Sequence, residues 1–276
     1  MKAYVINLPE STERRKFQSD QLKKLRIEFE IIDATTVSDL NILKLELAID
    51  KWERALMPTE IACFFSHFRL WERVASEGAP ALILEDDALL SRQVPEFLKL
   101  IQTIDGLDHV SLEARCRKKL LGQSIKLGPQ IAISRLYQDR TGAAAYVLWP
   151  KGAAKLVQTS RYYGVALADA RISNFYDLKS WQAVPAMAVQ ADVASCYAIE
   201  ASLKTHSYIQ AGDNKLNYSP RGASSYNFKF RRIVGQLKQA AHLIMKISVA
   251  KRKFVPVLAC DFHTNLSHEK TPERAA

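Results

Sequence analysis

Short apolar runs alternate with amphipathic stretches along the first two hundred residues of the chain. A first strand is predicted from Ala3 to Leu8, and a helix from Thr12 to about Leu25 follows it. A second strand is predicted over Phe29–Ile32, and Ala81–Leu84 forms a third apolar run directly after Pro80. Runs that are short and uninterrupted are typical of strands buried on both faces. The alternation therefore predicts an α/β fold in which helices flank a mainly parallel, doubly wound sheet.

The strongest helical pattern lies between the second and third apolar runs. Large apolar residues recur there at helical spacing, at Ile61, Phe64, Phe65, Phe68 and Trp71. We expect a helix over Glu60–Ser76, with Thr59 as its N-cap and Gly78 at its end. Further strands are expected at Val110–Leu112 and Ala143–Trp149, and further helices at residues 152–157 and 170–176.

The C-terminal part of the chain differs in charge from the rest. Residues 201–276 carry 13 Lys or Arg and 4 Asp or Glu, a net +9, whereas residues 1–200 carry 26 and 25, a net +1. Apolar residues recur at helical spacing within it, at Ile233, Leu237, Ala241, Ile244 and Ile247. This pattern fits a helix lying in a membrane interface, and also a helix docked on the body with its basic face in water. We divide the chain into a body, residues 1–212, and a basic, partly helical region, residues 213–276.

Several common classes of protein are disfavoured by motifs that the chain lacks. It has no glycine-rich dinucleotide or P-loop signature, no nucleophile-elbow serine motif and no helical zinc-protease motif. Its four cysteines are far apart in the sequence, which favours a reducing compartment. No signal-peptide pattern and no run of about 20 apolar residues occurs, so a cytoplasmic location is expected. Possible zinc ligands near the C-terminus lie in a polar stretch where a structural site is not expected: Cys260, Asp261, His263 and His268.

Three consecutive carboxylates, Glu85, Asp86 and Asp87, follow the third apolar run. Side chains alternate along a strand, so Glu85 and Asp87 are expected on one side and Asp86 on the other. Ligands bind at the carboxyl ends of strands in open α/β sheets, and hard oxygen ligands suit Mg²⁺ or Mn²⁺. The alternative interpretation is an acidic loop that only solubilises the strand end. His67, on the helix before this strand, is either a core residue or part of the site.

Several blocks of sequence together resemble glycosyltransferase family 25, which includes lipooligosaccharide galactosyltransferases of Gram-negative bacteria and collagen galactosyltransferases. The main blocks are Tyr4–Leu8 with Arg14-Arg15, Glu60–His67 and Leu82–Asp87. Later similarities occur at Leu112-Glu113, residues 141–147, Pro185-Ala186 and Gln190, so the resemblance spans about residues 3–195. The departures are Ala168-Asp169, where Val-Asp is common, and Ala144-Ala145-Tyr146, where Ala-Gly-Tyr is usual.

The resemblance implies a GT-A-like, Rossmann-like catalytic domain that uses a UDP-sugar. It implies that Asp87, with Glu85, holds Mn²⁺ or Mg²⁺ against the UDP diphosphate and so assists the leaving group. The residues implied in binding the UDP-sugar are Asn7, Leu8, Arg14, Asp33, Glu85 and Asp86. Family members are described as inverting, which implies that a general base deprotonates the acceptor hydroxyl. Asp169 is the first candidate for this base, and His67 and Glu113 are the alternatives.

The leading hypothesis is a glycosyltransferase that moves galactose or another hexose from UDP to a growing lipid-linked oligosaccharide of the lipooligosaccharide or lipopolysaccharide type. The basic region is then expected to hold the enzyme on the anionic inner face of the inner membrane. Two other hypotheses are a metal-dependent phosphohydrolase and a non-catalytic protein whose basic region binds nucleic acid or membrane. The phosphohydrolase would need a nucleophilic aspartate after the first strand, where Asn7-Leu8 stands. The non-catalytic protein leaves the acidic strand end unexplained, so no nucleic-acid partner is expected.

Overall fold

The computed structural model describes residues 1–42, 47–139, 142–201, 203 and 225–262. The helices are α1 (Thr12–Lys24), α2 (Val37–Ile42), α3 (Pro58–Glu77), α4 (Val94–Gln102), α5 (Pro150–Tyr163), α6 (Ala168–Ser173) and α7 (Ser225–Lys246). The strands are β1 (Lys2–Asn7), β2 (Phe29–Asp33), β3 (Ala81–Glu85), β4 (Ala88–Leu90), β5 (His109–Ser111), β6 (Lys119–Lys126), β7 (Ala132–Gln138), β8 (Ala145–Leu148), β9 (Ser180–Val184), β10 (Ala188–Gln190) and β11 (Lys251–Lys253). Two short 3-10 helices cover Ala191–Tyr197 and Ala259–Asp261.

Within these described segments, nine strands form one sheet in the order β11-β6-β7-β9-β5-β8-β3-β1-β2, and β10 pairs with β4 separately. Six of the nine run in one direction, whereas β8, β7 and β11 run against them. The predicted α/β fold is confirmed, with most strands pointing in one direction, although five of the eight neighbouring pairs in the sheet are antiparallel. The β6–β7 hairpin was not predicted, because the second half of β6 is exposed and polar and so lacks a continuous apolar run.

Both faces of the sheet centre are covered, which explains the uninterrupted apolar runs. Along β1, Ala3 and Val5 pack into the hydrophobic cluster that contains α4 residues, whereas Tyr4 and Ile6 pack into the cluster formed with α3 and α5. All four side chains are buried. A strand held from both sides in this way gives its carboxyl end a fixed position.

Helix α3 starts two residues earlier than predicted, because Pro58 occupies its first turn. Met57, not Thr59, is the N-cap residue, and its backbone N–H donates a hydrogen bond to the Glu60 carboxylate at 2.9 Å. Proline suits this position since it has no N–H to leave unpaired and its φ is already helical. Gly78 ends the helix with a φ of +69°, as predicted.

The register of the strands brings candidate residues together at one edge of the sheet. Ile6 pairs with Glu85 and Asn7 pairs with Asp33, so the carboxyl ends of β1, β2 and β3 lie side by side. In the small sheet, Gln190 pairs with Ala88, directly after the carboxylates. Ligands bind at this edge in open α/β sheets.

The C-terminal region contributes a helix and a strand. Helix α7 has 22 residues, and β11 pairs antiparallel with β6 at the edge of the main sheet. The boundary predicted between residues 212 and 213 lies outside the described residues, as do His263 and His268. Among the helices described, none has the length and hydropathy that crossing a bilayer requires.

Candidate functional site

The three carboxylates after β3 have two separate environments, as alternation along the strand predicts. The side-chain amide of Gln190 donates hydrogen bonds to Glu85 Oε2 at 3.0 Å and to Asp87 Oδ1 at 3.2 Å. Asp86 accepts hydrogen bonds from Asn7 Nδ2 at 2.8 Å and from Arg14 at 2.9 Å. Glu85 and Asp87 therefore share one side, and Asp86 belongs to the other.

Asp86 is balanced by partners within the chain. Burial raises the pKa of Asp86, while the Arg14 guanidinium and the Asn7 amide act in the opposite direction. The side chains of Arg14 and Asp86 are only 15% and 12% exposed. This ion pair holds α1 against the end of β3. The guanidinium of Arg14, which the resemblance assigns to binding the UDP-sugar, therefore already has a partner within the chain.

Glu85 and Asp87 are two neighbouring carboxylates of like charge, and both are partly buried. The pKa of Asp87 is raised, because burial disfavours the charged form and the nearby charge of Glu85 repels it. Gln190 offers these two residues a neutral donor. A divalent cation between the carboxylates would relieve the repulsion, and their hard oxygen atoms suit Mg²⁺ or Mn²⁺. The residues present therefore fit the metal that the resemblance implies.

A chain of hydrogen bonds through the core orients Glu85. Trp71 Nε1–H donates to the Tyr146 hydroxyl at 2.9 Å, and this hydroxyl lies 2.9 Å from His67 Nδ1. His67 Nε2 in turn lies 3.4 Å from Glu85 Oε1. Since Trp71 can only donate, the consistent arrangement has Tyr146 donating to Nδ1 and the Nε2–H of His67 facing the carboxylate. His67 is therefore both a core residue and a neighbour of the site.

Glu113 lies after β5, buried and 1% exposed. Burial raises its pKa to about 8. Its Oε2 accepts a hydrogen bond from the Ala144 backbone N–H at 3.2 Å. A Cβ at Gly142, whose φ is +130°, would lie 3.0 Å from the same oxygen, so a glycine is required there.

Asp169 lies in the first turn of α6, because this helix starts at Ala168 rather than at Ala170. Burial raises the pKa of Asp169, its bond from the backbone N–H of Ala170 opposes this, and the charge of Glu85 adds to the rise. Asp169 thus lies within electrostatic range of the end of β3.

The remaining residues implied in donor binding lie at the rim of this edge. The Asp33 side chain is 66% exposed and lies 3.5 Å from Arg15. Leu8 is half-buried, directly after β1. Among the described contacts, none joins Asp33 or Leu8 to the carboxylates that follow β3. Their relation to the site therefore rests only on the fact that the strand ends are adjacent.

Lys119 is a residue near the site that the sequence pattern missed. It is buried, and its ammonium group contacts Asp139 Oδ2 at 2.5 Å, Gln182 Oε1 at 2.6 Å and the Glu113 backbone carbonyl at 2.8 Å. In the sequence Lys119 directly follows Lys118, and two adjacent lysines are typical of a solvated surface. Its burial depends on the unpredicted hairpin, so no local signal identifies it.

Comparison with known proteins places the chain in a family. The model of "Glycosyltransferase family 25 (LPS biosynthesis protein)" matches residues 1–170. The chain is 28% identical over 205 residues to the lipooligosaccharide biosynthesis protein lic2B of Haemophilus influenzae, with 68% of this chain and 75% of that protein covered. It is 34% identical over 105 residues to the lacto-N-neotetraose biosynthesis glycosyltransferase LgtE of Neisseria gonorrhoeae, 36% of each chain. It is 28% identical over 169 residues to procollagen galactosyltransferase 2 of Homo sapiens, 56% of this chain and 27% of that one.

The family match covers more than half of the chain and includes the end of β3, His67, Glu113 and Asp169. It decides between the three hypotheses in favour of a transferase, and against the phosphohydrolase and the non-catalytic protein. The α/β fold is compatible with this assignment. The chain is a glycosyltransferase and belongs to glycosyltransferase family 25, the family of LPS biosynthesis proteins.

Proposed function

We propose that this chain transfers a hexose, with galactose as the first candidate, from a UDP-sugar to a saccharide acceptor of the lipooligosaccharide or lipopolysaccharide type, with inversion. The observation that carries the proposal is the pair of carboxylates Glu85 and Asp87, bridged by Gln190 at the end of β3. The names of the relatives support the substrates, because they include a lipooligosaccharide biosynthesis protein and a procollagen galactosyltransferase.

The residues that bind the UDP-sugar donor are assigned from their positions at the ends of the strands. Asp87 and Glu85 are the residues that would hold Mn²⁺ or Mg²⁺, and a bound metal would neutralise charge on the departing UDP. Asn7 and Asp33 end neighbouring strands, so with Leu8 they are assigned to the nucleoside pocket. Asp86 binds Arg14 and Asn7, and so positions this edge.

We assign Asp169 as the general base. Its raised pKa brings the carboxylate closer to the range in which it accepts a proton from a hydroxyl. His67 is less suited, because its Nε2–H faces Glu85 and its ring is buried. Glu113 is buried as well and accepts the Ala144 N–H, which favours an electrostatic role over contact with the acceptor.

The proposal is tested by thermal unfolding of the full chain with UDP and a panel of UDP-hexoses, each with and without Mn²⁺. A ligand at 100 times its Kd stabilises the native state by about 2.7 kcal/mol, so a true donor should raise the Tm only when Mn²⁺ is present. Asp87→Ala should lose this metal-dependent shift. Stabilisation by UDP that is equal with and without Mn²⁺, or that survives in Asp87→Ala, would contradict the metal assignment.

The base is tested with Asp169→Asn. This substitution keeps the size of the side chain but removes the proton acceptor, so transfer to a saccharide acceptor should fall by about 10²–10⁴-fold. The Mn²⁺-dependent stabilisation by the UDP-sugar should remain. Turnover close to that of the unsubstituted enzyme would exclude Asp169 as the base.

Helix α7 supports a membrane-surface role because its two sides differ. On one side, His242 stacks on Tyr176 with ring centroids 3.7 Å apart and bonds the Tyr137 carbonyl at 2.9 Å, while Gly235 lies against Glu53. The other side exposes large apolar residues, Phe230, Ile233, Leu237, Ile244 and Met245. The helix therefore docks on the body and still presents an apolar stripe, with the exposed basic strand β11 following it. We propose that this surface binds the anionic inner face of the inner membrane, with the enzyme in the cytoplasm.

Vesicle sedimentation tests this surface. The chain should sediment with vesicles that contain phosphatidylglycerol, and truncation at about residue 228 should abolish binding. Leu237→Glu with Ile244→Glu should weaken binding strongly, since two charges enter the apolar stripe. Tyr162→Glu with Tyr163→Glu is the control, because it adds the same charges to two exposed residues of α5. Equal effects of the two pairs would contradict the assignment of α7.

A further inference from the structure

Cys63, His67 and Glu85 form a cluster that the proposed transfer reaction does not use as a whole. Cys63 and His67 lie one turn apart on α3, and Glu85 ends β3 beside them. The Cys63 Sγ, one His67 ring nitrogen and one Glu85 carboxylate oxygen all lie within 4.8 Å of one another. A thiol, an imidazole and a carboxylate are the ligand types of zinc sites, whereas Mg²⁺ and Mn²⁺ prefer oxygen alone.

The distances of this cluster are close to those of a tetrahedral zinc site. Zinc bonds of about 2.0–2.2 Å to nitrogen and oxygen place those two ligand atoms about 3.4 Å apart, and a bond of about 2.3 Å to sulfur gives edges of about 3.6 Å. His67 Nε2 and Glu85 Oε1 are 3.4 Å apart. The sulfur has to approach by no more than about 1.2 Å, which follows from the 4.8 Å limit.

Neighbouring groups already hold two of the three ligands. The Tyr146 hydroxyl lies 2.9 Å from His67 Nδ1, and Gln190 donates to the second carboxylate oxygen of Glu85 at 3.0 Å. Outer partners of this kind orient metal ligands in known sites. Without metal, Tyr146 donates to His67 Nδ1, as described above. A metal on Nε2 requires the ring proton to be on Nδ1, so the Tyr146 hydroxyl would then accept hydrogen bonds from both His67 and Trp71.

We propose that Cys63, His67 and Glu85 bind a thiophilic divalent cation of the zinc class, with the fourth position open to water. Binding forms a metal–sulfur bond and releases the Cys63 thiol proton to solvent. Because Glu85 also belongs to the proposed donor-metal site, zinc competes with the binding of UDP and Mn²⁺. The zinc site itself does not depend on the proposed function, and only the competition does.

The site is tested by titrating the full, reduced chain with Co²⁺, whose bond to a thiolate gives a charge-transfer absorption in the near ultraviolet, and then displacing it with Zn²⁺. Cys63→Ser should weaken Co²⁺ binding at least about tenfold and remove the absorption. Cys116 and Cys196 are two free, exposed cysteines outside the cluster, and they provide the matched control pair. The double variant Cys116→Ser, Cys196→Ser should keep the absorption. Loss of the band in this double variant, with retention in Cys63→Ser, would overturn the proposal, as would the absence of any band.

The competition is measured separately, as the Kd of UDP in Mn²⁺ with and without Zn²⁺. A shared Glu85 predicts that zinc at about ten times its own Kd raises the Kd of UDP about tenfold, and that Cys63→Ser removes the effect. An unchanged Kd in a chain that binds zinc would overturn the sharing of Glu85. A chain that binds Co²⁺ through Cys63 but shows no Mn²⁺-dependent UDP binding would instead contradict the proposed function alone.

Discussion

The two ends of β1 and its neighbouring strands carry similar side chains that behave in opposite ways. Near the amino ends, Lys2 and Arg73 both pair with Glu30 at 2.7 Å, and Arg73 also pairs with Glu77 at 2.7 Å. At the carboxyl ends, Glu85, Asp86 and Asp87 follow one another, and the Arg14 ion pair described above binds Asp86. Two cations face two anions at the first end, whereas carboxylates predominate at the second.

The pKa values of the carboxyl groups reflect this difference. Hydrogen bonds from Arg73 and Lys2 lower the pKa of Glu30 to about 2, and the Tyr4 hydroxyl, followed by Arg73, lowers the pKa of Glu77. Burial raises the pKa of Asp86 and of Asp87. The balanced end needs no further ligand and serves stability. The acidic end has an excess of carboxylates, and under the proposed function a divalent cation would balance them. The comparison therefore contrasts a structural cluster with the cluster that we propose to be functional.

The largest expected effect is at the buried ion pair between Arg14 and Asp86. Arg14→Met should lower the free energy of unfolding by about 3 kcal/mol, because it leaves the buried Asp86 carboxylate without its cation. Arg15→Met is the matched control, since Arg15 and its partner Asp33 are 45% and 66% exposed. The control should change stability by less than about 0.5 kcal/mol. Denaturant unfolding measures the free energy of unfolding of both variants. Equal losses of stability in the two variants would contradict the proposed difference between the buried and the exposed ion pair.

A smaller effect of opposite sign is expected at Asp87. Asp87→Asn removes the repulsion with Glu85 while keeping the side-chain size, so the metal-free chain should gain about 1 kcal/mol of stability. The same variant should lose Mn²⁺-dependent UDP binding. Thermal unfolding without metal measures the gain. A variant that is less stable than the original chain would show that the acidic end is not strained by its charges.

The smallest effect is expected at the balanced end. Glu30→Gln should cost about 0.5 kcal/mol at neutral pH, because its partners are about a third exposed. The folded pKa of Glu30 is lowered, so its contribution is present above the unfolded value of 4.5 and is lost as pH falls toward about 2. The variant should therefore lose less stability than the original chain between these pH values. Glu28→Gln, at an exposed neighbour, is the control.

The sequence predicted those parts of the molecule that local pattern determines. The apolar runs of β1 and β3, the end of α3 at Gly78 and the alternation from Glu85 to Asp87 all follow from periodicity or backbone conformation. The start of α3 was wrong by two residues, because Glu60 caps Met57 through a side-chain contact. Boundaries of this kind depend on side-chain bonds that a hydrophobic pattern does not contain.

Contacts between distant segments could not be predicted in the same way. The bond from Gln190 to Glu85 joins residues 105 positions apart, and that from Tyr146 to His67 joins residues 79 apart. In the sequence Gln190 belongs only to a block of family resemblance, which does not indicate its partner. The sequence is compatible with His67 as a core residue or as a site residue, and the structure shows that its ring contacts both Tyr146 in the core and Glu85 at the site.

The position of Gln190 also bears on how the protein can be divided for expression. The family match ends at residue 170, but Gln190 and the central strand β9 follow it. A fragment that ends at residue 170 would lack the strand that lies between β5 and β7. It would also lack the Gln190 amide that bridges Glu85 and Asp87. Fragments intended for crystallisation or inhibitor screening should therefore extend at least through the 3-10 helix that ends at Tyr197.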